Sequence, residues 1–187
     1  MLNNTDFKRI VITGGPSTGK TAIIKNLESM GYFCFPEVSR AIILEYQEKG
    51  IPQLFIFDPE GFSDLILEGR ERDFNNITSE LKTQNQLYFY DRGIPDVPAY
   101  MRFKNESIPT RYANSSQNHR YDLVFVLPPW EAIYTQDNER YETYEQAVRI
   151  YEHLIATYKS YGYDFILVPT GSIKDRVDFI LEKSVLL

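Results

Sequence analysis

Residues 8–30 read KRIVITGGPSTGKTAIIKNLESM, an apolar run that enters a glycine-rich turn and leaves it, after Lys20 and Thr21, with helical periodicity. Gly14, four residues, Gly19, Lys20 and Thr21 match the P-loop spacing, and each position has a physical role. Glycines allow positive φ and let backbone N–H groups approach phosphate oxygens, so Gly14, Gly15, Pro16, Ser17, Thr18 and Gly19 form the expected cradle. The helix that follows directs its unsatisfied N–H groups and positive dipole end at the same anion. Lys20 is expected to reach the β and γ phosphates, and the Thr21 hydroxyl to hold a Mg²⁺ ion bridging them. Ile10, Val11 and Ile12 supply the preceding strand, while Ala22, Ile23, Ile24 and Leu27 continue the helix, which is the context this mechanism requires.

Outward from this turn, apolar runs at 9–13, 32–35, 87–90, 123–127 and 165–168 alternate with helical stretches at 20–30, 39–49, 60–82, 144–161 and 173–183. Near-continuous apolar strands alternating with helices predict an α/β fold, a five-stranded parallel sheet between two helical layers. The 187 residues are read as one domain, 1–187, with a polar surface insertion at 104–120. A formal charge of −6 argues against a broad nucleic-acid surface. No run approaches the length of a membrane span, and the N-terminus lacks a secretory pattern. The single cysteine, Cys34, lies in a strand as a small hydrophobe, so the cytoplasm is the expected compartment.

Parallel sheets bind ligands beyond the carboxyl ends of their strands. Glu37 follows the second strand, where a carboxylate serves either as a base or orienting group for an acceptor, or as a favourable charge at a helix start. Asp91 and Arg92 end the third strand. The acid is expected at Mg²⁺, and the planar cation at the transferring phosphoryl group or the acceptor. Arg140, in a loop before the long helix, is placed to close over the phosphates from a lid at 130–143. Pro169 and Gly171 lie in a turn expected against the nucleotide base, where Ser172 also suits a helix N-cap with Asp175 three positions on. Arg70, Arg72, Arg102, Lys104, Arg111 and Arg120 read mostly as solvated charges, although the 60–82 helix is where an acceptor pocket is expected.

GGPSTGKT, FPEVSR, YDRGIPD, RYDLVFVLPPWE, NERYETYEQA and VPTGSIKDRVDFIL, in that order, resemble the AAA-type ATPase/kinase family. That family includes the ribosylnicotinamide kinase domains of NAD-biosynthesis proteins and the TRPL translocation defect proteins. The resemblance implies a three-layer P-loop fold of the nucleoside and nucleotide kinase type with a closing lid. It also implies ATP and Mg²⁺ as cofactors, Glu37 and Asp91 as active-site acids, and Lys20, Arg92 and Arg140 as cations at the phosphates. The expected activity is transfer of the γ-phosphoryl group to a small-molecule acceptor, a nucleoside, nucleotide or related metabolite. The alternative is a nucleotide-dependent switch with slow hydrolysis that recruits a lipid or protein partner. A guanine-reading NKxD pattern is absent, which disfavours a Ras-like GTPase. A ring-forming ATPase is disfavoured because Asp91 is followed by Arg92 rather than a water-activating glutamate.

Overall fold

The computed structural model describes residues 7–77, 87–135 and 142–186. Five parallel strands, β1 (Lys8–Gly14), β2 (Phe33–Phe35), β3 (Leu87–Asp91), β4 (Leu123–Leu127) and β5 (Ile166–Leu167), form one sheet in the order β2-β3-β1-β4-β5. The expected parallel α/β sheet is therefore what the chain builds. β1 is central, pairing Ile12 with Asp91 of β3 on one side and Gly14 with Leu127 of β4 on the other.

The apolar runs are continuous because both faces are covered. Ile10 and Ile12 pack into one cluster with Ile23, Leu27, Val177 and Ile180, whereas Val11 between them faces a second cluster with Val38, Ile66, Val97 and Tyr158. That alternation is the two-residue period of a strand buried on both sides. The first layer comes from α1 (Lys20–Ser29) and α8 (Ile173–Leu186). The second comes from α2 (Val38–Glu48), α3 (Leu54–Phe57), α4 (Pro59–Asn75), α5 (Asp96–Phe103), α6 (Thr110–Asn118) and α7 (Tyr144–Ser160).

The helices differ from expectation, and α3 is one that was not expected. The helix expected over 60–82 ends at Asn75, and 78–86 lies outside the described residues. The 104–120 stretch is not a plain surface loop. Its segment Thr110–Asn118 is helical, with Tyr112 and Ser116 fully buried and Ser116 Oγ donating to the Tyr112 carbonyl, so the polar composition conceals an anchored face. α5 also went unread because Pro98 interrupts its sequence. The proline occupies the first turn, where a missing N–H removes no intrahelical bond.

Candidate active site

β1 ends at the switch point of the sheet, where its neighbours β3 and β4 lead away in opposite directions, and the glycine-rich turn fills that opening. Gly14 leaves no room for a side chain, since a Cβ there would lie 2.6 Å from the Leu127 carbonyl oxygen. Gly19 caps α1 at φ 87°, a left-handed conformation that glycine adopts without strain. Thr18 is buried and its Oγ1 donates to the Gly15 carbonyl at 3.0 Å, fixing the curl. Ser17 holds φ 56° while its Oγ donates to the Thr135 carbonyl at 2.6 Å, which ties the turn to the segment after β4. These features fit a phosphate group: a curled turn with Gly14, Gly15 and Gly19 free of Cβ atoms at the head of a helix.

Lys20 is 6% exposed, and its Nζ donates to the Gly14 and Gly15 carbonyls at 3.2 and 2.9 Å. Burial, aided by the Arg92 charge, lowers its pKa to about 8. An ammonium so desolvated is a poised partner for an anion.

Arg92 follows β3 in a left-handed backbone conformation, φ 75°, which is strained for a residue with a Cβ. Its side chain explains how that conformation is held. Nε donates to Glu37 Oε1 at 2.7 Å, and Nη1 donates to the Gly14 carbonyl at 3.0 Å and to Asp96 Oδ1 at 3.2 Å. Asp96, 1% exposed, also accepts from Thr13 Oγ1 at 2.5 Å, Tyr158 OH at 2.6 Å and the Gly93 N–H at 3.2 Å. Sequence reasoning missed Asp96, although it ends the YDRGIPD motif; its partners Thr13 and Tyr158 carry no local signal.

Glu37 is the N-cap residue of α2, yet its side chain caps no backbone N–H. It accepts from Arg92 and, at 3.0 Å, from Ser39 Oγ. Burial opposes its ionisation, but the Arg92 and Lys20 charges prevail and hold its pKa at about 2. Asp91 goes the other way. Burial and the nearby Glu37 charge raise its pKa to about 6, and its buried Oδ1 has no hydrogen-bond partner. That orphaned oxygen is the kind of donor a hard cation with few protein ligands takes, and Thr21, a second oxygen donor, stands in the cavity wall. Among the described residues no three His, Cys, Asp or Glu side chains cluster as a denser metal cage would need.

A cavity of about 600 Å³ opens from this turn. Lys20, Thr21, Glu37, Arg92 and Asp96 line it beside the glycine-rich turn, and Ile43, Phe55, Phe62, Ile66, Val97 and Tyr100 give this chamber apolar walls. Asp91 is not on the cavity wall, nor are Pro169 and Gly171, which lie in the turn from β5 to α8. In that turn Ser172 Oγ accepts from the Asp175 N–H at 3.2 Å, the expected cap. Arg140 and 136–141 of the expected lid lie outside the described residues. Two further cations were not anticipated as site residues. Arg70 of α4, read as a surface charge, is 5% exposed and lines the chamber. Arg176 of α8 is 3% exposed, donates from Nη2 to the Thr18 carbonyl at 2.9 Å and lies 5.8 Å from the Trp130 ring. Burial of Arg70 and Arg176 depends on long-range packing, which a helical charge pattern does not reveal.

The AAA domain family profile matches residues 9–176. The chain belongs to this family. This AAA domain protein is 25% identical over 124 residues to a nucleotide-binding protein of Bacillus thuringiensis (strain Al Hakam) and to one of Bacillus cereus (strain B4264). The match spans 64% of the chain and 39% of the length of each of these curated relatives. Its fold is similar to that of deoxyadenosine kinase from M. mycoides, with TM-score 0.65, 17% identity, and coverage of 96% of this chain and 100% of that one. Thymidylate kinase from Candida albicans superposes with TM-score 0.63 at 17% identity, covering 96% and 92% of the two chains. The NadR protein in complex with NR gives TM-score 0.67 at 19% identity, covering 94% of this chain and 51% of NadR. This AAA domain protein is a P-loop nucleotide-binding protein with a kinase-like fold.

Proposed function

We propose that this protein is a small-molecule kinase that transfers the γ-phosphoryl group of ATP to a nucleoside, nucleotide or related metabolite. The observation that carries this reading is the continuity of one cavity, from the Lys20 turn past Glu37 and Arg92 into a chamber large enough for a second molecule. A hydrolase needs only water there; a chamber with apolar walls suits an organic acceptor. Kinases that share the fold are named for a nucleoside, deoxyadenosine, and for a nucleotide, thymidylate, so both acceptor types are compatible with the scaffold.

In this reading the turn and the head of α1 hold the phosphates, and Lys20 exchanges its loop carbonyls for phosphate oxygens. Thr21 and Asp91 would hold Mg²⁺, which neutralises charge on the phosphates when bound. Arg92, clamped by Glu37 and Asp96, presents a fixed cation to the charge that develops in transfer. Arg140 is assigned to the lid, and Pro169 and Gly171 to the base. Catalysis by position and electrostatics needs little else.

The test is acceptor-dependent conversion of ATP·Mg²⁺ to ADP across a panel of nucleosides, nucleotides and metabolites, with Lys20→Ala as the control. Product that appears only with an acceptor, and falls ~10²–10³-fold in Lys20→Ala, supports the reading. Hydrolysis indifferent to every acceptor, together with nucleotide-dependent retention on liposomes, would replace it with a switch that recruits a lipid.

A further inference from the structure

The chamber contains a buried cation for which the phosphate turn has no use. Arg70 is 5% exposed and its Nη1 donates to the Gly93 carbonyl at 2.8 Å, but its buried Nε has no hydrogen-bond partner. Among the described residues no carboxylate forms an ion pair with Arg70: Glu37, close enough to feel its charge, holds Arg92 instead, and Asp73 and Asp91 feel that charge without a hydrogen bond to it. A guanidinium taken out of water without an anion is costly, and its planar fork matches the two oxygens of a phosphate or carboxylate. Phe55, Phe62, Ile66 and Val97 give the chamber apolar walls, and among the polar groups that also line it, Ser39, Gln47 and Ser63 included, the Arg70 fork is a buried cation suited to the anionic end of a ligand. The exposed cations Lys25, Arg40 and Lys104 also line the cavity, although the whole chain carries −6. Such local reversal of sign draws anions inward.

We propose that the acceptor is an oxyanion-bearing compound with an apolar body, a phosphate monoester or a carboxylate, whose anionic group Arg70 receives. This rests on the phosphotransfer reading and narrows it. An oxygen of that oxyanion forms the bond to the γ-phosphorus, the bond from that phosphorus to the β,γ-bridging oxygen breaks, and ADP leaves with the electron pair. A dianionic phosphate or an ionised carboxylate has no proton on the attacking oxygen, so no base is required. This agrees with Glu37, which Arg92 holds at a pKa of about 2 against the effect of burial, too low for an effective base near neutrality. A neutral hydroxyl acceptor would require such a base and would leave Arg70 without an anion in contact.

Calorimetric titration tests this apart from turnover. The protein is saturated with a non-hydrolysable ATP analogue and Mg²⁺, so that the phosphate turn is filled. It is then titrated with adenosine and thymidine, with their 5′-monophosphates, and with their 5′-carboxylates. At least one anionic compound should bind ~10–100-fold more tightly than its neutral parent. The monophosphate and carboxylate arms identify which oxyanion is read. Arg70→Gln should abolish the preference while leaving affinity for the ATP analogue and for the neutral nucleoside unchanged, and Arg70→Lys should restore part of it. Equal or tighter binding of neutral nucleosides, no binding of any anion, or an equal loss for neutral and anionic ligands in Arg70→Gln would overturn the proposal. Should Arg70→Gln not fold, the wild-type ratios decide alone. Anion binding that depends on Arg70 but yields no phosphorylated product would retain this site and reject the kinase reading.

Discussion

Asp91 and Lys20 show how single residues are prepared for a ligand at a cost to the free protein. Asp91 has an ordinary pKa of 3.8 when unfolded and about 6 in place, because burial and then Glu37 oppose its charge. Its favourable contribution is therefore fully present below pH 3.8 and is lost as pH rises through about 6, so the ionised carboxylate destabilises the fold at neutrality. Asp91→Asn should unfold at the same or a higher temperature than wild type at pH 7.5, with the difference shrinking toward pH 5, while Mg²⁺-dependent turnover is lost. Wild-type turnover should fall as pH drops through about 6, because a cation needs the ionised form. A thermal melt series beside a pH-rate profile checks both, and a marked loss of stability in Asp91→Asn at pH 7.5 would show that the carboxylate is structural. Lys20 was legible in the sequence from the P-loop spacing, and Glu37, Asp91 and Arg92 because each follows an apolar run at a strand end. Asp96, Arg70 and Arg176 were not, since what distinguishes them is burial against partners between 4 and 158 positions away.

At the scale of elements, α2 and α4 meet where glycine permits close approach. A Cβ on Gly69 would fall 2.4 Å from Val38 Cγ1, and Val38 follows Glu37 directly. Gly69→Ala should therefore push the start of α2 outward, lower stability by about 1–3 kcal/mol in urea unfolding, and disturb the Glu37–Arg92 pair, reducing activity as well. An unchanged midpoint would show that the two helices can separate freely. Strand positions were readable to within a residue or two because a sheet covered on both faces requires uninterrupted apolar sequence, as in Leu123–Leu127. Helices that bury only a few residues, such as α6, give little periodicity to read. α7 carries its start signal in the sequence. Thr143 accepts from the Gln146 N–H while Gln146 returns a bond to the Thr143 N–H, a capping box visible as TYEQ.

At the scale of the molecule, the sheet places one phosphate turn at its switch point and one helical layer supplies the chamber beside it. In the proposed reading, phosphate site and acceptor site share that one opening. Among the described residues no helix is long and apolar enough to cross a membrane. Binding of the triphosphate at the turn is what every later step depends on, and Lys20 gives that binding a signature. Burial holds its pKa at about 8 in the free protein, and phosphate oxygens would raise it, so association near pH 8 must take up protons. Calorimetric titration of ATP·Mg²⁺ at pH 8, in buffers of different ionisation enthalpy, is the decisive measurement. The predicted result is saturable binding of one nucleotide per chain with proton uptake that vanishes in Lys20→Ala. No heat of association at millimolar ATP for folded protein, or equal affinity in Lys20→Ala, would contradict it.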